Sequence, residues 1–118
     1  MCSFHFDCIF YYVSDMERAI TFYRDVLGFQ QNSRDVVTRF EIDGVLFELV
    51  PTIDPAKLQG CGNARLALRV DDIEAAVEHL AAKGILSTPV EDKSTGLLAF
   101  IRDPAGNEIC LWQYLQSC

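Results

Sequence analysis

The sequence predicts an α+β fold made of two βαβββ modules that share one core. An internal repeat is the main observation: the pattern V-x-D-[MI]-E-x-A-[IV] occurs at Val13–Ile20 and again at Val70–Val77. Within a chain of 118 residues, such a repeat indicates one structural unit used twice. Apolar residues alternate with polar ones on both sides of each copy, as in strands, and a Pro- and Gly-rich stretch separates the copies.

Each copy of the repeat begins a predicted helix. Asp15 and Asp72 occupy the position of a helix N-cap, and apolar residues follow each of them at helical spacing. Gly28 and Gly84 come directly after these apolar stripes, where a glycine in the left-handed conformation ends many helices. The sequence therefore predicts one amphipathic helix in each module.

Short β-rich runs surround both helices, with one strand before each helix and three after it. The predicted strands are residues 6–13, 29–32, 36–42, 45–50, 64–70, 86–89, 97–102 and 108–114. One face of each sheet is predicted to be aliphatic and to pack under the helix, whereas the other mixes aromatic residues with Cys, Glu and Arg. A sheet face with that mixture is typical of a pocket wall.

The domain organisation follows from the repeat. We predict a single domain over residues 1–118, with module one at about 4–52, a linker at about 53–63 and module two at about 64–115. The D-P-A-G-N run at Asp103–Asn107 is predicted to be a structural turn within the last hairpin, because proline and glycine supply backbone conformations that turns require.

Charge and cysteine content limit the partners and the compartment. The chain has 10 basic and 17 acidic side chains, a formal charge of −7, which disfavours nucleic acid and anionic membrane as partners. No apolar run approaches the length of a membrane span. The five cysteines are an odd number without a C-x-x-C pair, so we predict a cytoplasmic protein with reduced thiols. Three of them, Cys2, Cys61 and Cys118, are expected to be surface thiols.

Two motifs stand near the two ends of the chain, VSDMERAITFYRDVLGF at 13–29 and FIRDPAGNEI at 100–109. They resemble the vicinal oxygen chelate superfamily, which includes glyoxalases, bleomycin-resistance proteins, fosfomycin-resistance enzymes and extradiol dioxygenases. The resemblance implies two modules whose sheets curl into an incomplete barrel around a pocket, and it implies a homodimer for a short member. It does not fix the function, because the superfamily includes isomerases, dioxygenases, transferases and proteins that only bind drugs.

The resemblance also implies four positions for metal ligands, held here by Cys8, Glu48, Arg65 and Cys110. Only Glu48 keeps a usual ligand type, and arginine cannot ligate a metal because its guanidinium stays protonated. We therefore predict that the inherited metal site is lost and that no cofactor is bound. The alternative is a divalent metal ion held by Cys8, Glu48 and Cys110.

Several roles stay open for these residues. Cys8 and Cys110 are interpreted as wall residues, or else as nucleophiles whose pKa a neighbouring arginine would lower. Glu48 and Arg65 are expected to pair across the pocket, either as a structural ion pair or as polar anchors for a ligand, and Arg69 is a second candidate for a ligand carboxylate.

Aromatic residues dominate the mixed faces. Those predicted to line a cavity, with core filling or a dimer interface as alternatives, are Phe6, Phe10, Tyr12, Trp112 and Tyr114.

The leading functional hypothesis is a metal-free protein that binds a small molecule, similar to the bleomycin-resistance branch. The second is a metal-dependent enzyme, either a glyoxalase-like lyase or a dioxygenase-like enzyme, and the third is a structural dimer whose pocket has closed. The residues predicted to form the pocket are Cys8, Phe10, Tyr12, Glu48, Arg65, Arg69, Cys110 and Trp112.

Overall fold

The computed structural model describes residues 3, 5–58 and 65–115, and the chain divides into two compact units between Leu58 and Gln59. The three predicted surface thiols, at Cys2, Cys61 and Cys118, and part of the predicted linker lie outside the described residues.

The two units have the same order of elements, and this confirms the predicted α+β class with two βαβββ modules. The first contains β1 Ile9–Val13, α1 Met16–Ile20, a π-helical turn Thr21–Val26, β2 Gln30–Arg34, β3 Thr38–Ile42, β4 Val45–Pro51 and a 3-10 turn Pro55–Leu58. The second contains β5 Leu66–Arg69, α2 Ile73–Ala82, β6 Glu91–Asp92, β7 Gly96–Arg102 and β8 Glu108–Tyr114. The sheet orders are β1-β4-β3-β2 and β5-β8-β7-β6.

In each sheet the first strand pairs in parallel with the last strand, and the other pairings are antiparallel. A parallel pair needs a long connection that crosses over a sheet face. The helix and the following strands provide this connection in both units. The first and last strands of each module therefore lie side by side.

The predicted helix caps are confirmed. The Asp15 carboxylate accepts a hydrogen bond from the Arg18 amide, and the Asp72 carboxylate accepts one from the Ala75 amide. Gly28 and Gly84 have φ angles of 78° and 84°. Because only glycine adopts that region without a steric cost, these residues end both helical segments.

The first helix departs from the prediction after one and a half turns, where α1 widens into the π-helical turn. The Leu27 amide bonds to the Phe22 carbonyl over 3.0 Å, five residues back, as in a π-helix. Phe22 and Tyr23 are both buried on this turn. The helical spacing in the sequence predicts a stripe of Met16, Ala19, Ile20, Tyr23 and Leu27, which contains Tyr23 but not Phe22. The periodicity therefore did not reveal the change of helix type.

The cores of the two units differ in chemistry. The buried face of the first sheet was expected to be aliphatic, but Tyr11, Phe40 and Phe47 lie on it beside Val13 and Leu49, so that prediction is wrong for this unit. Phe22, Tyr23 and Phe29 add further buried rings from outside the strands. The centroids of Tyr23 and Phe47 lie 4.9 Å apart, within stacking range. The second unit has the predicted aliphatic core: Leu66, Ile73, Leu80, Ala99, Ile101, Ile109 and Leu111 are buried.

One predicted strand is displaced along the chain. Residues 86–89 were expected to form a strand, but the strand at this edge is β6, Glu91–Asp92. Thr88 still bonds to β7, since its amide donates to the Phe100 carbonyl and its hydroxyl accepts from the Phe100 amide, both over 2.9 Å. Pro89 has no amide hydrogen to extend this pairing into a ladder.

Thr38 provides a first testable prediction. Its side chain is fully buried on β3, and its hydroxyl has no hydrogen-bond partner among the described residues. Because an unpaired buried hydroxyl costs about 1–3 kcal/mol, Thr38→Val is expected to raise the free energy of unfolding by about 1 kcal/mol, measured by urea denaturation. The matched control is Thr52→Val, which removes a hydroxyl that accepts from the Asp54 amide and should lower stability. A loss of stability in Thr38→Val would contradict this account.

Candidate functional site

The mixed face of the first sheet is built from β1, β3 and β4. Phe10 of β1 is in register with Glu48 of β4, and Arg39 of β3 is in register with the same glutamate from the other side. Tyr12 lies on this face by strand alternation, and Cys8 just before β1 is within hydrogen-bonding reach of Glu48. All four predicted site residues of this module, Cys8, Phe10, Tyr12 and Glu48, therefore lie on one surface.

Glu48 is held by a guanidinium. Arg39 Nε donates to Glu48 Oε2 over 3.1 Å, and the Glu48 side chain is only 17% exposed. A second carboxylate, that of Asp35, lies 3.3 Å from Arg39 Nη1. Hydrogen bonds to Asp35 and then to Glu48 raise the pKa of Arg39. The one carboxylate at a position implied for a metal ligand is thus already neutralised by a permanent cation.

Arg39 was missed by the sequence analysis, although a signal for it exists. Asp43 and Gly44 have φ angles of 50° and 82°, so they form the two-residue type I′ turn that an Asp-Gly pair favours. A two-residue turn fixes the register of its hairpin and places Arg39 opposite Glu48. The D-G pair in the sequence would have predicted this ion pair.

The mixed face of the second sheet carries a similar arrangement on β5, β7 and β8. Arg65 Nε donates to Glu108 Oε1 over 2.8 Å, and Arg102 Nη2 donates to Glu108 Oε2 over 3.2 Å. Further along the same face, Cys110 is in register with Ala67 and Trp112 with Arg69. Glu108 therefore receives two guanidinium groups beside the position of Cys110.

Glu48 and Arg65 were expected to pair with each other, and the structure gives each of them an ion-pair partner within its own unit. These partners, Arg39 and Glu108, were not among the predicted site residues. Arg102 was missed as well, although the sequence contains a local signal for it. Arg102 and Glu108 directly flank the D-P-A-G-N turn, so the hairpin brings them opposite each other. The Arg65–Glu108 contact depends on a parallel register between distant segments, which no local pattern specifies.

Each unit carries one aromatic pair on its mixed face, on β1 in the first unit and on β8 in the second. Phe10 and Tyr12 are edge-to-face at 5.4 Å, and Trp112 and Tyr114 are edge-to-face at 5.7 Å. The ammonium group of Lys57 lies 4.8 Å from the Tyr12 ring centroid, in cation–π range. Edge-to-face pairs present both ring edges and ring faces, so each surface can contact an apolar or aromatic molecule.

Both described cysteines of the site are free thiols that resist ionisation. Burial, and then the Glu108 carboxylate, raise the pKa of Cys110. Burial, followed by Glu48 and Asp7, raises the pKa of Cys8. This direction of the pKa is opposite to the one expected from a neighbouring arginine, because burial and nearby carboxylates both favour the protonated thiol. Neutral thiols are poor nucleophiles, so the site does not favour covalent thiol chemistry.

Alkylation tests this assignment. Because the Cys110 pKa is raised, its reaction with iodoacetamide at pH 7.5 is expected to be slower than that of free cysteine, and its rate should rise only at a pH above the ordinary thiol range. Peptide-resolved mass spectrometry measures the rate for Cys110 alone. Glu108→Gln removes one cause of the shift and should accelerate the reaction, whereas Glu91→Gln, on β6, should not. Fast alkylation of Cys110 at neutral pH would contradict the assignment.

The donors at the four implied ligand positions do not fit a divalent metal. Glu48 is bonded to Arg39, Arg65 is a cation, and the thiols of Cys8 and Cys110 favour their protonated forms, whereas metals bind thiolates. Across residues 3, 5–58 and 65–115 there is no group of three or more His, Cys, Asp or Glu side chains arranged to hold a metal ion. The loss of the metal site stays a prediction.

Comparison with known proteins decides the family. The sequence matches the model of the Glyoxalase/Bleomycin resistance protein/Dioxygenase superfamily over residues 5–111. The chain belongs to this superfamily. A search of curated proteins gives no significant match. In the described part of this superfamily member, no helix is long and apolar enough to cross a membrane.

Solved structures of the same superfamily fold are similar over almost the whole chain. The antibiotic binding protein TnmS3 from Streptomyces sp. CB03234 is 29% identical with a TM-score of 0.75, covering 98% of this chain and 99% of that one. The fosfomycin resistance protein FosX from Mesorhizobium loti is 15% identical with a TM-score of 0.75, covering 94% and 92%. Lactoylglutathione lyase from Agrobacterium tumefaciens is 20% identical with a TM-score of 0.72, covering 92% of each chain. The last two show the fold alone.

Proposed function

We propose that this superfamily member binds a small organic molecule on its mixed sheet faces and does so without a metal ion. The observation that carries the proposal is the Arg39–Glu48 ion pair. Glu48 is the implied metal ligand that keeps a carboxylate. The guanidinium of Arg39 lies 3.1 Å from this carboxylate and takes the place of a metal ion as its partner. A divalent cation would have to displace this guanidinium and bear the repulsion of its charge.

The same faces offer what a small-molecule site needs. The Phe10–Tyr12 and Trp112–Tyr114 pairs supply aromatic surface, and the neutral thiols of Cys8 and Cys110 add soft apolar contacts. Arg65 and Arg69 are proposed as polar anchors that orient a ligand. The similarity to TnmS3, described as an antibiotic binding protein, supports a ligand of the antibiotic class.

A homodimer in the cytoplasm is part of the same proposal. Exposed apolar side chains outside the two aromatic pairs would be covered by a second copy; they are Phe6, shortly before β1, and Leu115, directly after β8. Free thiols at Cys8 and Cys110 fit a reducing compartment.

Fluorescence of the single tryptophan tests the proposal. Trp112 lies on the proposed binding face, so a panel containing bleomycin, fosfomycin and polycyclic aromatic antibiotics is titrated against the protein in excess EDTA. We expect saturable quenching by at least one member, unchanged by the chelator and weakened by Arg69→Met. The control Arg18→Met alters an exposed arginine on α1 and should bind normally. No response to any compound, or a response that requires added metal, would contradict the proposal.

A further inference from the structure

A cleft of about 340 Å³ lies within the second unit, at the edge of its sheet. On one side is the segment between α2 and β6, and on the other are β7 and the start of β8. Its lining residues are Gly84, Ile85, Leu86, Ser87, Thr88, Phe100, Ile101, Arg102 and Glu108. None of these was predicted to belong to the ligand pocket. The volume falls at the lower end of the range of small-molecule sites.

The cleft exists because the segment of residues 85–88, between α2 and β6, is hydrogen-bonded to β7 through Thr88. Thr88 bonds to Phe100 through its amide and its hydroxyl, and four residues earlier the chain turns away at Gly84, in the left-handed conformation. The Ile85 amide bonds back to Leu80 of α2 rather than to the sheet. The segment between Ile85 and Thr88 therefore stands away from the β7 edge and leaves the space open.

An ion pair and apolar side chains share the lining of the cleft. Arg102 Nη1 donates to the Gly106 carbonyl over 2.9 Å, and its Nη2 donates to Glu108. The Arg102 side chain is 63% exposed, against 23% for Glu108, so the cation is more accessible to a ligand than its anionic partner. The apolar part of the lining consists of Ile85, Leu86 and Phe100, and Leu86 is 79% exposed.

We propose that this cleft binds a small amphipathic carboxylate, with the carboxylate on Arg102 and the apolar body against Ile85, Leu86 and Phe100. A guanidinium has a planar fork of donors that matches a carboxylate. An exposed ion pair such as Arg102–Glu108 contributes little to stability, so Arg102 can exchange partners at small cost. The net charge of −7 does not prevent this binding, because salt screens distant charges beyond about 10 Å whereas Arg102 acts in direct contact.

Paired probes test the proposal on the full chain. We expect 2-naphthoate to shift the amide resonances of residues 85–88 and 100–102. We also expect it to bind about tenfold more tightly than the uncharged 2-naphthamide, because one charge-assisted hydrogen bond contributes roughly that factor to the affinity. Arg102→Met should remove this preference. Arg34→Met is the matched control, since it removes one charge from an exposed ion pair with Glu17 in the first unit and should leave binding unchanged.

The possible outcomes separate this cleft from the proposed antibiotic site. Equal affinity for both probes, or the same loss in Arg102→Met and Arg34→Met, would overturn the proposal. So would naphthoate binding that quenches Trp112 without shifting residues 85–88. If Arg102→Met does not fold, Leu86→Glu at the exposed rim serves instead and should weaken naphthoate binding by charge repulsion. Quenching of Trp112 by an antibiotic should be unaffected by Leu86→Glu, because Leu86 lies outside the mixed sheet faces, so each proposal can fail separately.

Discussion

Gly96→Ala is expected to displace the Trp112 indole and to destabilise the protein by about 3 kcal/mol, as overpacking of a buried position does. A Cβ built on Gly96 would lie 2.1 Å from Cζ2 of Trp112, well inside van der Waals contact. Gly96 is buried, and Trp112 lies on the neighbouring strand of the same sheet, so the ring rests on bare backbone. The glycine is required here for space. Urea denaturation measures the loss, and tryptophan fluorescence reports the displaced ring.

A double-mutant cycle isolates this contact. If the cost of Gly96→Ala comes from the indole, it should largely disappear in a Trp112→Leu background, giving a coupling energy of about 2 kcal/mol. Trp112→Leu alone controls for the lost ring. Additive effects of the two substitutions would show that the packing of Trp112 on Gly96 does not explain the requirement for glycine.

Asp103→Ala is expected to destabilise the last hairpin by about 3 kcal/mol, because it leaves several buried donors without their charged acceptor. Asp103 is buried, and its Oδ1 accepts from the amides of Ala105 and Asn107 over 2.9 and 2.8 Å. Its Oδ2 accepts from Asn107 Nδ2 over 2.9 Å. The carboxylate thus organises the whole D-P-A-G-N turn, and thermal or urea unfolding measures its contribution.

Asp103→Asn separates charge from geometry in this turn. The amide keeps one acceptor oxygen for the two backbone amides but cannot accept from Asn107 Nδ2 with its nitrogen, so we expect a loss of about half that of alanine. Asp71→Ala, at an exposed position before α2, controls for the removal of one negative charge. If Asp103→Ala were no more harmful than Asp71→Ala, the turn would not depend on this carboxylate.

The fold was predictable because its signals are local. Asp15, Asp72, Gly28 and Gly84 each mark a helix end through their own backbone or side-chain chemistry. The aromatic core of the first unit was not predictable in the same way, because Phe22, Tyr23 and Phe29 lie outside the strands and strand alternation does not place them. The π-helical turn of Phe22 has no sequence signature comparable to a cap.

The site was predicted less completely than the fold, because ion pairs depend on register. Arg39 could have been found from the Asp43–Gly44 turn, which sets its hairpin. Glu108 as the partner of Arg65 could not, since their contact joins two strands paired in parallel across the whole second module. Strand alternation groups the mixed-face residues within each strand, whereas their ion-pair partners depend on how the strands pair with one another.

Metal content is the most direct test of the central claim that a guanidinium-bound carboxylate has replaced the metal site. Untagged, reduced protein is incubated with Ni, Zn, Mn or Fe(II), desalted and analysed by plasma mass spectrometry, with Cys8→Ser as the matched variant. The account predicts far less than one ion per chain for every metal and no difference between the two proteins. Near-stoichiometric metal that is retained by the parent chain and lost in Cys8→Ser would contradict it.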